Sequence, residues 1–189
     1  MHFTRLSSRL LVALVSLSLA ACGSSDGGGG GGGGEDTKTF KAEGIGITFE
    51  YPEDMKEASD LTIDESVGAS AKAKGGVGYD ERNAIFVQRF ELTKSIGKDE
   101  LASVKPEVDG LFEQATGQPA DGQETEIGGL PALEYESAKT KGRPGEEARL
   151  LVIFDGSTEY TINCQSTKKR RDDIEKACDS VVETVEKTS

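Results

Sequence analysis

Histidine is almost absent from this 189-residue chain: it has one, His2, in a segment that reads as a removable leader. Tryptophan is missing, aromatics make up 6%, and there are three cysteines. Without histidine in the mature chain, neither a Ser-His-Asp or Cys-His catalytic site nor a His-containing zinc or iron site can be assembled. Carboxylate chemistry and oxygen-ligand calcium sites stay open, but no metal or cofactor is expected. Long hydrophobic runs are lacking too. The most apolar stretch, Leu10 to Leu19, is about ten residues, against the roughly 20 that a spanning helix needs. An integral membrane protein is therefore not expected.

What stands around that stretch gives it a meaning. Arg5 and Arg9 precede it, and Leu19-Ala20-Ala21-Cys22 follows, the order of a targeting segment. The last four residues match the bacterial lipobox, so residues 1–21 resemble a lipoprotein signal peptide. The resemblance implies diacylglyceryl transfer to the Cys22 thiol, cleavage before Cys22 and acylation of the new amino terminus, palmitate being the expected chain. Two or more acyl chains anchor stably where one binds only marginally. The alternative is an ordinary secretory signal beside an accidental cysteine. Eight consecutive glycines, Gly27 to Gly34, come next. They have maximal backbone freedom and nothing to bury, so residues 22–38 are expected to form a flexible tether spanning roughly 20–25 Å. Residues 39–189 are left for one domain, attached to the extracytoplasmic face of the cell membrane through the anchor alone.

Losing the leader takes Lys plus Arg from 22 to 20 against 34 Asp plus Glu, so the mature chain carries −14. Such an acid balance speaks against nucleic acid and against adhesion to anionic lipid by general charge. It suits a soluble, self-repelling monomer.

Within the domain, Ile45, Ile47, Phe49 and Tyr51 alternate up to Pro52 and predict a half-buried strand. Leu61 to Val67 and Ala84 to Leu92 predict two more, with Ala71 to Asn83 as a glycine-rich hairpin loop between them. Leu101, Val104, Val108, Leu111, Phe112 and Ala115 recur at helical spacing, with Asp99 as cap and Gly117 as stop. Pro106 and Gly110 predict a kink there, or a start near Lys105. Strands resume around a turn at Gly128-Gly129-Leu130-Pro131. Leu150, Val152 and Phe154 then share a face, and Asp155-Gly156 predicts a hairpin into a strand with Tyr160, Ile162 and Cys164 inward. Ile174, Ala177, Cys178, Val181, Val182 and Val185 form the apolar stripe of a final helix, with Asp172 and Asp173 at its positive end. The fold class is α+β, an antiparallel β-sheet flanked by helices.

With Cys22 acylated, Cys164 and Cys178 remain, on an inward strand face and on the helix stripe. In an oxidising compartment they predict a disulfide pinning the helix to the sheet. Two buried free thiols are the alternative. A catalytic redox pair is disfavoured, because no C-x-x-C is present.

"GIGITFEYPEDM", "IGGLPALEYE" and the run from "LVIFDG" through "EYTINCQ" to "ACDSVVETV" together resemble the PsbP-like superfamily. More narrowly, they resemble the small actinobacterial lipoproteins of the LpqN/LpqT type. The shared features are Tyr51-Pro52, the Tyr160-to-Cys164 spacing and Cys178; Met55 stands where family members usually carry tryptophan. The resemblance implies an α/β/α sandwich used as a non-enzymatic binding or accessory module.

Three groups are candidate sites. Gly75, Gly76, Gly78 and Tyr79 lack the Gly-Lys-Ser/Thr ending of a phosphate loop and are expected to be a mobile loop for partner contact. Lys168, Lys169, Arg170 and Arg171 make a basic patch, either a solvated turn offset by Asp172 and Asp173 or a contact for an anionic head group or envelope polymer. Glu124, Glu126, Glu134 and Glu136 could present carboxylates on one face; alternation with Ile127, Leu133 and Tyr135 reads instead as the wet side of a sheet. The function expected is a lipid-anchored, non-enzymatic binding or accessory protein of the bacterial cell envelope with protein partners. The alternative is a small-molecule or lipid carrier with an apolar pocket between sheet and helix.

Overall fold

The computed structural model describes residues 36–57 and 71–188. The leader, Cys22, the glycine run and the expected strand from Leu61 to Val67 lie outside the described residues. β1 (Thr37–Lys41) and β2 (Ile47–Pro52) form an antiparallel hairpin, so Thr37 and Lys38, counted with the tether from sequence, belong to a strand. β2 buries Ile47, Phe49 and Tyr51 and turns Glu50 outward, as its alternation requires. Phe40 pairs with Phe49 in register, and their rings stack at 4.6 Å. β9 (Glu186–Lys187) adds to the other edge of β2.

The second sheet has six antiparallel strands in the order β3-β4-β5-β8-β7-β6. They are β3 (Lys56–Glu57), β4 (Ala73–Asp80), β5 (Asn83–Ile96), β6 (Gln123–Ile127), β7 (Leu130–Lys139) and β8 (Glu146–Thr167). Successive side chains of a strand point to opposite faces, yet Leu151, Val152, Ile153 and Phe154 are all buried. Both faces of this sheet are therefore covered. Leu151 and Ile153 join Phe40, Phe49, Ile85, Val87, Ile162 and Val181 in one core, shared with the small sheet and with α2 (Arg171–Thr184). Val152 and Phe154 join Leu133, Tyr135, Leu101 and Phe112 in a second core beneath α1 (Leu101–Thr116). This is the expected α+β arrangement, with a three-stranded sheet added to the layer of α2.

Several local expectations are corrected. The glycine-rich stretch is not a loop: Gly75, Gly76, Gly78 and Tyr79 lie inside β4, the three glycines paired with Val87, Phe86 and Ala84 of β5 and Tyr79 at a register shift, and only Glu81-Arg82 makes the hairpin turn. A Cβ on Gly76 would lie 2.5 Å from the Ile85 carbonyl oxygen, and one on Gly78 would lie 2.6 Å from the Ala84 Cβ. The glycines let β4 and β5 approach each other.

Asp155-Gly156 makes no hairpin. β8 runs through it, pairing with β7 from Glu147 to Ile153 and with β5 from Gly156 to Gln165. Each half has its own partner strand, so a reversal there would strip one of them of its ladder. Gly156 instead takes φ 59° opposite a register shift in β5. Gly128-Gly129 alone forms the β6–β7 turn, with φ 59° and 74°, and Leu130-Pro131 are already in β7.

The first helix begins at Leu101 after a 3-10 turn, Lys98–Glu100, rather than near Lys105. Glu100, not Asp99, stabilises this start: its Oε2 accepts from the Gly97 N–H at 2.9 Å. Leu111 is 61% exposed, because the core takes only Leu101, Val104, Val108 and Phe112.

α2 follows its stripe closely, burying Ile174, Ala177, Cys178 and Val181. Cys178 is disulfide-bonded to Cys164 of β8. No helix among the described residues is long and apolar enough to cross a membrane.

Candidate functional site

Three element ends converge on one recess: the turn after β2, the end of β4 and the start of α2. Pro52 stops β2, and the Met55 N–H folds back to its carbonyl at 3.1 Å, which turns Asp54 toward Tyr79. The result is an open pocket of about 590 Å³ whose lining includes Lys38, Asp54, Tyr79, Asp173 and Lys176. Lys38 Nζ donates to the Glu53 carbonyl at 2.8 Å. Tyr79 bonds Asp54, and burial together with that carboxylate pushes its phenol up to about 12. The phenol therefore stays protonated at neutral pH and serves as a hydrogen-bonding group, not as a base or nucleophile.

Tyr79, in the pocket lining, meets a residue from a second group singled out from sequence. The Arg170 guanidinium lies 4.2 Å over the Tyr79 ring and also pairs with Asp173 at 3.0 Å. Arg171 points elsewhere, to Glu147 at 2.5 Å, while Lys168 and Lys169 are exposed. The compact basic patch expected from "KKRR" is thus divided, with its two arginines engaged by partners within the chain. Nothing in the sequence linked Tyr79 to Arg170, 91 positions apart.

No protein-family model matches the sequence, and no curated protein does. Similarity to solved structures is clear at the level of the fold. The solution structure of cyanobacterial PsbP (CyanoP) from Synechocystis sp. PCC 6803 matches with a TM-score of 0.54 at 16% identity, over 86% of this chain and 98% of that one. The crystal structure of LpqN, a protein involved in cell envelope biogenesis in Mycobacterium tuberculosis, matches at 0.52 and 14%, over 82% and 91%. The fold is PsbP-like. Within it, Met55 is buried in the larger core, at the position where the resemblance leads one to expect tryptophan.

The four glutamates do not share a face of the PsbP-like sheet. Glu124 and Glu126 stand opposite Leu133 and Pro131, whereas Glu134 stands opposite Gln123, so its side chain points to the other side. Glu134 accepts from Arg149 at 2.6 Å, and Arg149 also reaches Asp179 of α2 at 2.6 Å. A charge that sequence reading passed over is Glu159, in β8. By alternation it reads as a solvent-facing residue. In the fold, burial raises its carboxyl above the ordinary glutamate value, Glu107 of α1 adds to this, and a hydrogen bond from Thr161 only partly opposes them.

A carboxyl whose folded value is raised binds its proton more tightly folded than unfolded. Stability therefore falls as pH rises from the ordinary glutamate range through that raised value, and the penalty persists at neutral pH. Glu159→Gln is expected to raise Tm by about 2 °C at pH 7, a gain of under 1 kcal/mol for a chain of this size. The gain should shrink to nothing below the ordinary glutamate range. Thermal unfolding followed by circular dichroism across pH checks this, and a Tm that drops at pH 7 would defeat the assignment.

Proposed function

We propose that this protein is a lipid-anchored, extracytoplasmic accessory protein of the bacterial cell envelope that works as a monomer by binding protein partners, without catalysis. The packing between the six-stranded sheet and α2 carries this reading. Among the described residues, Ile85, Ile162, Ala177, Cys178 and Val181 fill that layer with no measurable exposure, which favours contact at the surface over a carrier's apolar cavity there. The lipobox at Cys22 supports the anchor. The Cys164–Cys178 disulfide suits an oxidising compartment. The likeness to LpqN, itself involved in cell envelope biogenesis, supports the location and the narrower kinship.

Replacing Cys22 by serine should move the protein from the membrane pellet to the soluble fraction. Retention in the pellet would refute the anchor. For partners, a photo-crosslinking residue placed at Lys38, on the pocket rim, should capture an envelope protein in cells. The same residue at Lys141, distant in the sequence and exposed, serves as the control; equal capture at both positions would count against the pocket.

A further inference from the structure

β6 is the last strand of the six-stranded sheet and pairs with β7 on one side only. Which of its backbone groups face outward follows from the turn that ends it. Gly128 and Gly129 both have positive φ, 59° and 74°, as in the type I′ turn of a two-residue hairpin, whose closing pair exchanges both backbone hydrogen bonds. That pair is Ile127 with Leu130. Hydrogen-bonded pairs alternate along an antiparallel ladder, so Thr125 and Gln123 also turn toward β7. Glu124 and Glu126 turn their N–H and C=O outward. Two observations agree with this parity. Glu126 stands opposite Pro131, which has no N–H to give it. The Gly122 N–H, next in the outward row, goes to Asp109 Oδ1 at 3.0 Å.

Glu124 and Glu126 are exposed, and their side chains share one face. Among the described residues, neither carboxylate has a hydrogen bond or an ion pair. Lys105, which reaches the loop before β6, is held by Asp109 and Asp121. The edge therefore presents outward N–H, C=O and carboxylate groups in one reachable row, a template for one more strand. Its charge selects that strand. A second copy laid antiparallel along it would set glutamate against glutamate, and like charges directly opposed repel. Lysine or arginine at alternate positions would instead meet both carboxylates. The other edges do not compete for such a strand. β3 and β9 have two residues each, and β1 carries Lys38 and Lys41, which would repel it.

We propose that β6 accepts an added antiparallel strand from a partner protein: an extended segment with lysine or arginine at alternate positions, its backbone bonding Glu124 and Glu126 and its basic side chains lying against their carboxylates. The proposal deepens the reading that the protein acts through protein partners, and rests on it.

The test titrates the isotope-labelled full chain with a cyclic β-hairpin peptide whose free edge reads Thr-Lys-Val-Lys-Thr, with the lysine N–H groups outward; cyclisation removes the cost of ordering the strand. Before addition, the backbone amides of Glu124 and Glu126 should exchange with solvent fast and that of Thr125 slowly. At saturation the hairpin should slow exchange at Glu124 and Glu126 about tenfold or more, an alternation that loose adsorption by charge does not produce. N-methylation of both lysines keeps their charge and removes their donors, and should weaken binding at least about tenfold. Glu124→Gln with Glu126→Gln changes two exposed side chains, leaves the ladder to β7 intact and should weaken binding about tenfold. No binding, binding that leaves the Glu124 and Glu126 amides in fast exchange, or equal affinity for the N-methylated hairpin overturns the proposal. If crosslinking in cells captures an envelope protein that binds the double variant and the wild type equally well, this edge fails and the partner reading stands. If the hairpin adds to β6 and no envelope protein is captured, the reverse holds.

Discussion

Replacing Cys164 and Cys178 together by alanine is expected to lower stability by about 3 kcal/mol, through the loop-closure entropy that the bond removes from the unfolded chain. The two cysteines are 14 residues apart, and the bond joins β8 to the buried stripe of α2. In a chain of this size that corresponds to a Tm about 6–12 °C lower. Reducing the wild-type protein under mild denaturant should produce the same shift, and the double variant should no longer respond to reductant. Ile174, Ala177 and Val181 still pack α2 against the sheet, so a weakened native fold is expected rather than an unfolded one. Denaturation midpoints with and without reductant measure the effect. An unchanged midpoint in the double variant would show that the disulfide contributes nothing to stability.

The second large effect is expected at Gly76. A methyl group there would meet the backbone oxygen of Ile85 at 2.5 Å, a separation that real Cβ atoms do not adopt, and a paired strand cannot move aside as a side-chain tip can. Gly76→Ala should cost about 3 kcal/mol or more, because β4 must part from β5. Gly110→Ala is the matched control. A Cβ at Gly110 meets nothing within 4 Å, and the residue is exposed in the middle of α1. There alanine should stabilise by about 1 kcal/mol through helix propensity. Opposite signs for one chemical change at two glycines would separate close strand approach from backbone entropy. If both variants are neutral, β4 is not packed as described.

Where a pattern is local and repeated, the sequence announced the structure. The stripe from Ile174 to Val181 gave α2 its buried face, and the alternation from Ile47 to Tyr51 gave β2 its own. Non-local terms decided the rest. Gly75 to Gly78 carry the signs of a loop because glycine propensity reports freedom in the unfolded chain. Pairing along β5 overrides it, and these glycines supply proximity. Asp155-Gly156 carries a turn signal that lost to two partner strands waiting on opposite sides of β8. Leu111 fits the helical period, yet it faces solvent, since the area α1 covers is narrower than its apolar stripe.

The sites divide in the same way. Tyr79 and Arg170 were each visible as unusual residues, but only the meeting of β4 with the start of α2 sets one over the other. Glu124 and Glu126 were visible as an alternating pair, but only the place of β6 at the end of the sheet leaves their outward backbone groups without a strand. Glu159 gave no signal, because a polar residue alternating along a strand looks like part of a wet face whether water covers it or not.

By itself, then, the sequence determined that the one histidine stands at position 2, the α+β class and the pairing of Cys164 with Cys178, all properties of composition, period and position. Only the tertiary structure decided which polar groups lose their water. Burial is a property of what packs on top of a residue, and the residue's neighbours in the chain do not carry that information.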